Sequence, residues 1–425
     1  MEEKRCIFCF LSDRNQKKMQ KYSQIQEEKY EDILIIFKKL FINDFLMCLS
    51  ENHKLCEKHL KIRYINIIIE NFKKIEIEEI DNFFEKLIEV YKNWISGKAL
   101  VAMQSLHQLL TDKDILNKEE VFNLRNMLFF RGRENFGMPY NRYDMFRIPY
   151  DKRYLVKNQR FSLSGYPLLY LNCSIKGVSQ ELEIENNQDK FVFSYFHFKN
   201  VEPEIENSIY SFANPFKIFF NDKNKFMNMT EEKTYINSYK MENLKIKILK
   251  LILSSFCLFE KRVQHKKQEE EGKSIFFEEY VIPQIFTQIL KVNDFYGIFY
   301  PSTRINEFTQ SSLYDENNFN LVYFPTYNSE RHYDYNLFKN LDISTPINYE
   351  ILNYKITPTL KDYDKLSYTF SQKKGNKNRI FFELLMIYLD ESNRRKFYVE
   401  NNNGNEIELE RILTYNFLQK SILNF

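Results

Sequence analysis

The chain has 425 residues, 44% of them hydrophobic and 16% aromatic, enough for two or three domains with sizeable cores and too apolar for general disorder. Its formal net charge is +3, from 61 basic and 58 acidic side chains, a balance that calls for neither nucleic acid nor an anionic membrane as partner. Six cysteines are too few for a secreted disulfide scaffold, so a reducing cytoplasm is the expected setting.

The amino-terminal "MEEKRCIFCF" places charges before a very short apolar run and is read as part of the folded protein, not as a signal peptide. Within it "CIFC" pairs Cys6 with Cys9, and "CEKH" pairs Cys56 with His59. Two thiolate or imidazole pairs suit a closed tetrahedral zinc site that would staple the N-terminus onto the helical domain. Cys48 and His53 compete for the second pair, and buried free thiols or a redox pair are the other uses of these cysteines.

From residue 12 to about 127 the pattern is helical. "DILIIFKKLFINDFL" and "EEIDNFFEKLIEVYKNW" repeat apolar residues at three and four with Lys and Glu between them. "NKEEVFNLRNML" opens like a capping box on Asn117 and Glu120. The expected first domain is 1–126, all helical.

At "MLFFRGREN" the character changes to strands, with "LLYLN", "KFVFSYFHF", "FYGIFY" and "NLVYF" following. Helices are expected at about 174–184, 240–260 and 277–291. The run "ILKLILSSFCLF" is too short and too interrupted to cross a membrane and reads as a buried helix. The charged "EKRVQHKKQEEEGK" reads as a solvated loop or a frayed helix end, and its interleaved acids and bases argue against a nucleic-acid patch. These elements predict a mixed α/β domain over 127–330 and a C-terminal extension, 331–425, packing on it, with one clear helix at "RIFFELLMIYLDE". The class is therefore α+β.

Three places carry candidate chemistry. Arg131 and Arg133 alternate with Gly132 near the end of an apolar strand, so both face one side of it, where guanidinium groups suit phosphate or pyrophosphate. A solvated strand end is the plainer reading. In "QRFSLSGYPLLYLNCSIKGVSQE", Arg160 precedes a Gly-Tyr-Pro turn, Tyr170 lies in the strand beyond it, and Ser174 can cap the helix that carries Glu181. Glu181 flanks the apolar stripe of Ile175, Val178 and Leu182, a costly position unless a cation or donor meets it; pairing with a structural arginine is the plain alternative. Ser302 follows the strand "FYGIFY" and a proline, without the G-x-S-x-G surroundings of a serine hydrolase. No G-x-G-x-x-G follows any strand, so a Rossmann-bound hydride carrier is not expected.

Taken in order, "FFRGR", "QRFSLSGYPLLYLNCSIKGVSQE", "FYGIFYPST" and "NLVYF" resemble the RES domain, named for its Arg, Glu and Ser. "MFRIPYDKRYLVKNQRFS", "EEYVIPQIF" and the opening "CIFCF" are similar to segments of the longer RES proteins that carry an N-terminal helical extension. The resemblance covers roughly residues 125–325. It implies a fold related to ADP-ribosyltransferase toxins and an activity that destroys NAD⁺ by cleaving the nicotinamide–ribose bond, with inorganic phosphate or water as acceptor. It also implies a toxin or defence role, with a neutralising antitoxin or an activating protein as partner and self-association open. Carried onto this chain, the catalytic set is Arg131, Glu181 and Ser302, with Arg133, Arg160 and Tyr170 binding substrate.

Two other classes compete. An ADP-ribosyltransferase would use the same fold on a macromolecular acceptor. A nucleic-acid-binding or RNA-cleaving protein would need the Arg-x4-6-His signature of helical ribonucleases, which is not evident over residues 12–127.

Overall fold

In the computed structural model of the chain, the described residues are 6–50, 55–118 apart from 58, 61 and 63, then 124, 127–134, 140–182, 191–199, 201–216, 237, 239–262, 276–303, 319–327, 333–344, 346–348, 355–358, 397–400 and 406–408. In chain order the elements are α1 (Ile7–Phe10), α2 (Asp13–Gln26), α3 (Tyr30–Leu49), α4 (Ile65–Lys73), α5 (Ile77–Ile95), α6 (Ala99–Asp112) and β1 (Leu128–Glu134). Next come α7 (Arg142–Phe146), a 3-10 turn at Tyr150–Leu155, β2 (Leu169–Asn172), α8 (Ile175–Glu181), β3 (Phe191–Phe198), α9 (Pro203–Glu206) and β4 (Ile209–Ser211). Then follow α10 (Met241–Cys257), α11 (Val281–Val292), β5 (Gly297–Pro301), β6 (Phe319–Tyr323), α12 (Tyr335–Lys339), β7 (Leu341–Ile343) and β8 (Ile347–Asn348). A three-stranded antiparallel sheet, β9 (Lys355–Pro358), β10 (Phe397–Glu400) and β11 (Glu406–Glu408), ends the described chain. The expected α+β class is what the chain adopts.

Two compact units are present, each assembled from three stretches of sequence. The first combines Met1–Val121, Tyr154–Tyr166 and Asn207–Asp315. Its helices bury the stripes their periodicity marks: Ile80, Phe83, Phe84, Leu87, Ile88 and Tyr91 on α5, and Ile33, Leu34, Phe37, Phe41 and Phe45 on α3. Aromatic rings knit these helices to α10 and its exit, with Phe37 within 5.9 Å of Phe84 and 5.4 Å of Phe259. The apolar run expected to be a buried helix is α10, and among the described residues no helix is long and apolar enough to cross a membrane. Two short parallel strands, β4 and β5, complete this unit.

The second unit combines Phe122–Arg153, Pro167–Glu206 and Glu316–Phe425. Its main sheet is antiparallel: β1 pairs with β2 and β3, β2 with β6, and β3 with β7 and β8. "FVFSYFHF" shows only partial alternation because both faces of β3 are covered, leaving seven of its eight residues buried. The helix expected at "RIFFELLMIYLDE", Glu120 of the expected capping box, and most of the charged run 260–273 lie outside the described residues.

Candidate active site and metal centre

The first cluster forms at the N-terminus. Cys6 is extended and α1 starts directly after it, so one helical turn, closed by Phe10 N–H to Cys6 O at 2.9 Å, places Cys6 and Cys9 side by side. A second turn, His59 N–H to Cys56 O at 2.9 Å, does the same for the other pair. The four ligand atoms lie within 4.8 Å of one another. Cys9 Sγ is 3.7 Å from Cys56 Sγ, and His59 Nδ1 is 3.4, 3.6 and 3.0 Å from the sulfurs of Cys6, Cys9 and Cys56. Zinc–sulfur bonds of about 2.3 Å in a tetrahedron give sulfur–sulfur edges of about 3.8 Å, so this donor set could bind a metal such as zinc. Hydrogen bonding from Cys9, and then from His59, holds the Cys6 thiol down to about 3 against the effect of burial. The same contact with Cys6, with burial, pushes Cys9 up. The Phe8 ring packs 5.5 Å from the imidazole of His59. Cys48 is buried in α3 outside this cluster, and His53 lies outside the described residues.

The second cluster surrounds Glu181. Ser174 caps α8, its hydroxyl accepting from the Gly177 N–H at 2.9 Å. Behind the cap, Asn172 at the end of β2 accepts the Ser174 N–H at 2.7 Å and donates to Asn320 Oδ1 on β6 at 2.6 Å. Asn320 Nδ2 donates to Glu181 Oε1 at 2.9 Å. One donor that meets this half-buried carboxylate is thus a neutral amide. A side chain at Gly177 would put its Cβ 2.2 Å from Asn172 Oδ1, so glycine is required for the helix to start over the amide.

Strand alternation sorts the other candidates. Phe130 is the partner of Asn172, and Asn172 of Asn320, so these lie on one face; Tyr170, two residues from Asn172, shares it. Glu181 joins that face through Asn320. Arg131 and Arg133 point to the opposite face, in register with Ser194 and Val192. There Arg131 donates from Nη1 to the carbonyl of Phe146 at 2.6 Å. Burial, with Arg133 and Arg147 close by, works against the Arg131 charge and lowers its pKa. Arg133 is also lowered by burial and approaches the Tyr140 ring at 5.9 Å. Arg147 is fully buried, 4.0 Å over the Tyr150 ring, and donates to the carbonyl of Ile148.

The remaining two candidates belong to the other unit. Arg160 is buried, donating to the carbonyl of Cys257 at 3.0 Å and covering the Tyr280 ring at 5.0 Å. It precedes the turn Leu163–Tyr166, in which Gly165 takes φ +78, a left-handed conformation that glycine adopts freely. Ser302 is buried directly after β5, next to Thr303, whose carbonyl accepts from Lys17 at 3.3 Å. The candidates therefore divide: Arg131, Arg133, Tyr170 and Glu181 in the second unit, with Arg160 and Ser302 in the first.

Sequence reasoning passed over Asn172, Asn320 and Arg147. Each carried a signal: "NCS" is an Asx-turn spacing, Asn320 is a lone amide in an apolar strand, and Arg147 sits in the apolar stretch "MFRIPY".

Over 255 residues the chain is 28% identical to a Bacillus subtilis (strain 168) protein described as "Putative toxin YopC", the match covering 56% of this chain and 52% of that protein. The chain thus spans about half the length of the curated relative it matches. No family model matches the chain, and no solved structure matches it. The chain is related, distantly, to a bacterial protein that carries the description "Putative toxin".

Proposed function

We propose that the chain is an NAD⁺-degrading enzyme of toxin type that cleaves the nicotinamide–ribose bond. The observation that carries this reading is Glu181, a carboxylate held by Asn320 on the sheet face that also bears Tyr170. The kinship with a protein described as "Putative toxin" and the resemblance to the RES domain support it.

The chemistry asks little of acid catalysis. Nicotinamide is held in NAD⁺ as a pyridinium, and its ring nitrogen takes up the electron pair of the breaking C–N bond, so it leaves neutral and no proton need be delivered. The ribosyl carbon becomes electron-poor, and a fixed carboxylate nearby stabilises that charge, as in glycoside hydrolysis. Phosphate attack then yields ADP-ribose 1″-phosphate; water attack yields ADP-ribose and a proton. In this reading Glu181 meets the ribose and the Tyr170 ring stacks on nicotinamide or adenine. Arg131 and Arg133 lie on the face of the sheet opposite Glu181 and Tyr170, so their phosphate-binding role comes from the resemblance and not from this geometry. Arg160 and Ser302 enter by resemblance alone.

Zinc is the metal we assign to Cys6, Cys9, Cys56 and His59, in a structural role, since all four positions are taken by protein donors. A neutralising antitoxin or an activating signal would spare the host its NAD⁺.

Purified protein mixed with NAD⁺ tests the reading. Nicotinamide release that depends on phosphate marks a phosphorylase, and equal release without phosphate marks a glycohydrolase. Labelled ADP-ribose bound to protein or nucleic acid marks the transferase instead. No release from folded protein, with and without a lysate that supplies activators, sinks the proposal.

A further inference from the structure

The hydrogen bonds behind Glu181 admit one orientation of each amide. A backbone N–H can only donate, so the atom of Asn172 that Ser174 N–H meets at 2.7 Å is the carbonyl oxygen. The Ser174 hydroxyl reaches that same oxygen at 3.2 Å. Asn172 must then turn its NH₂ toward Asn320 Oδ1 at 2.6 Å. With its oxygen occupied, Asn320 presents Nδ2, a donor, to Glu181 Oε1. Both amides are buried, Asn172 at 3% and Asn320 at 4% exposure, where such groups are costly unless satisfied. The chain of bonds begins at a backbone group that cannot rotate and ends at the carboxylate.

We infer that Asn320 is a positioning residue for Glu181, with Asn172 setting its orientation from the capped start of α8. This rests on the reading of Glu181 as the carboxylate that meets the ribose. A glutamate has several rotamers of similar energy, and a fixed donor selects one before substrate arrives, so the charge needs no reorganisation during reaction. Gly177 belongs to the same device, because any side chain there would collide with the Asn172 amide.

The test replaces Asn320 with leucine, close in size but without a donor, and measures nicotinamide release from NAD⁺ in the wild-type and Glu181→Gln backgrounds. Asn320→Leu is expected to lower kcat at least about 10-fold while KM moves less than about 3-fold, and to cost nothing further when Glu181 is already glutamine. The same loss in both backgrounds, or kcat within about 2-fold of wild type, overturns the inference. Asn320→Ser serves in its place if the leucine variant does not fold. A second readout needs no turnover. In protein labelled with ¹⁵N-asparagine, the Asn320 side-chain amide signal, identified by its loss in Asn320→Leu, should move in Glu181→Gln. An unmoved signal overturns the inference. A moved signal in protein that releases no nicotinamide upholds the relay and overturns the NAD⁺ reading.

Discussion

The Cys–His cluster and the Glu181 network solve one problem, holding a few polar side chains in a fixed geometry, by different means. The cluster joins two turns 47 to 53 residues apart through side-chain donors alone. The Glu181 network starts from backbone, a capped helix that follows a strand within three residues, and reaches a distant strand through two amides. A cluster of thiols and an imidazole depends on whatever the donors bind. A network rooted in a cap depends on the fold itself.

That contrast predicts a graded series of effects. Removing the metal should be the most disruptive. The Cys56→Ser protein is expected to lose about one equivalent of zinc by elemental analysis and to melt earlier by an amount equal to several kcal/mol, because binding free energy at such a site is folding free energy. A protein purified without metal, with an unchanged melting curve under chelator, breaks the comparison on that side. Gly177→Ala should come next, at about 1–3 kcal/mol in denaturant titrations, since its Cβ must push the Asn172 amide away. Ser174→Ala removes the cap that receives Gly177 N–H and should cost about 1 kcal/mol; a larger loss would show that the cap also holds the amides behind it.

A separate effect is a pH dependence outside both clusters. Burial lowers Lys17 from an ordinary 10.5 to about 8, against the pull of Glu260. Between those values the folded chain binds fewer protons than the unfolded one, so stability should rise as pH climbs from about 8 to about 10.5. Lys17→Met should flatten that rise in melting curves taken across the range.

The two clusters also differed in how far the sequence displayed them. Cys-x-x-Cys and Cys-x-x-His are local spacings, and each corresponds to a single turn, so the four clustered donors were already candidates in the chain, with Cys48 and His53 as competitors. Glu181 and Tyr170 were visible in the same way, through the cap at Ser174 and the strand before it. Asn320 was not, because its partner lies 139 residues away and only the register of β2 with β6 joins them. Alternation along "FRGRE" correctly put Arg131 and Arg133 on a common face. Which face that was, relative to Tyr170, depended on the pairing of β1 with β2, which no local pattern encodes. Elements were legible for the usual physical reason: apolar periodicity at three and four marked α3, α5 and α10, and apolar runs bounded by turns marked β1, β2, β5 and β6.

The central claim is that Glu181 is the carboxylate on which NAD⁺ cleavage depends. Its most direct test is the rate of nicotinamide release from NAD⁺ by wild-type protein and by Glu181→Gln, with melting temperature and zinc content checked for both. The account predicts release by the wild type and a fall of about 100-fold or more in the variant, with melting temperature and zinc content unchanged. Release that continues undiminished in Glu181→Gln would contradict it.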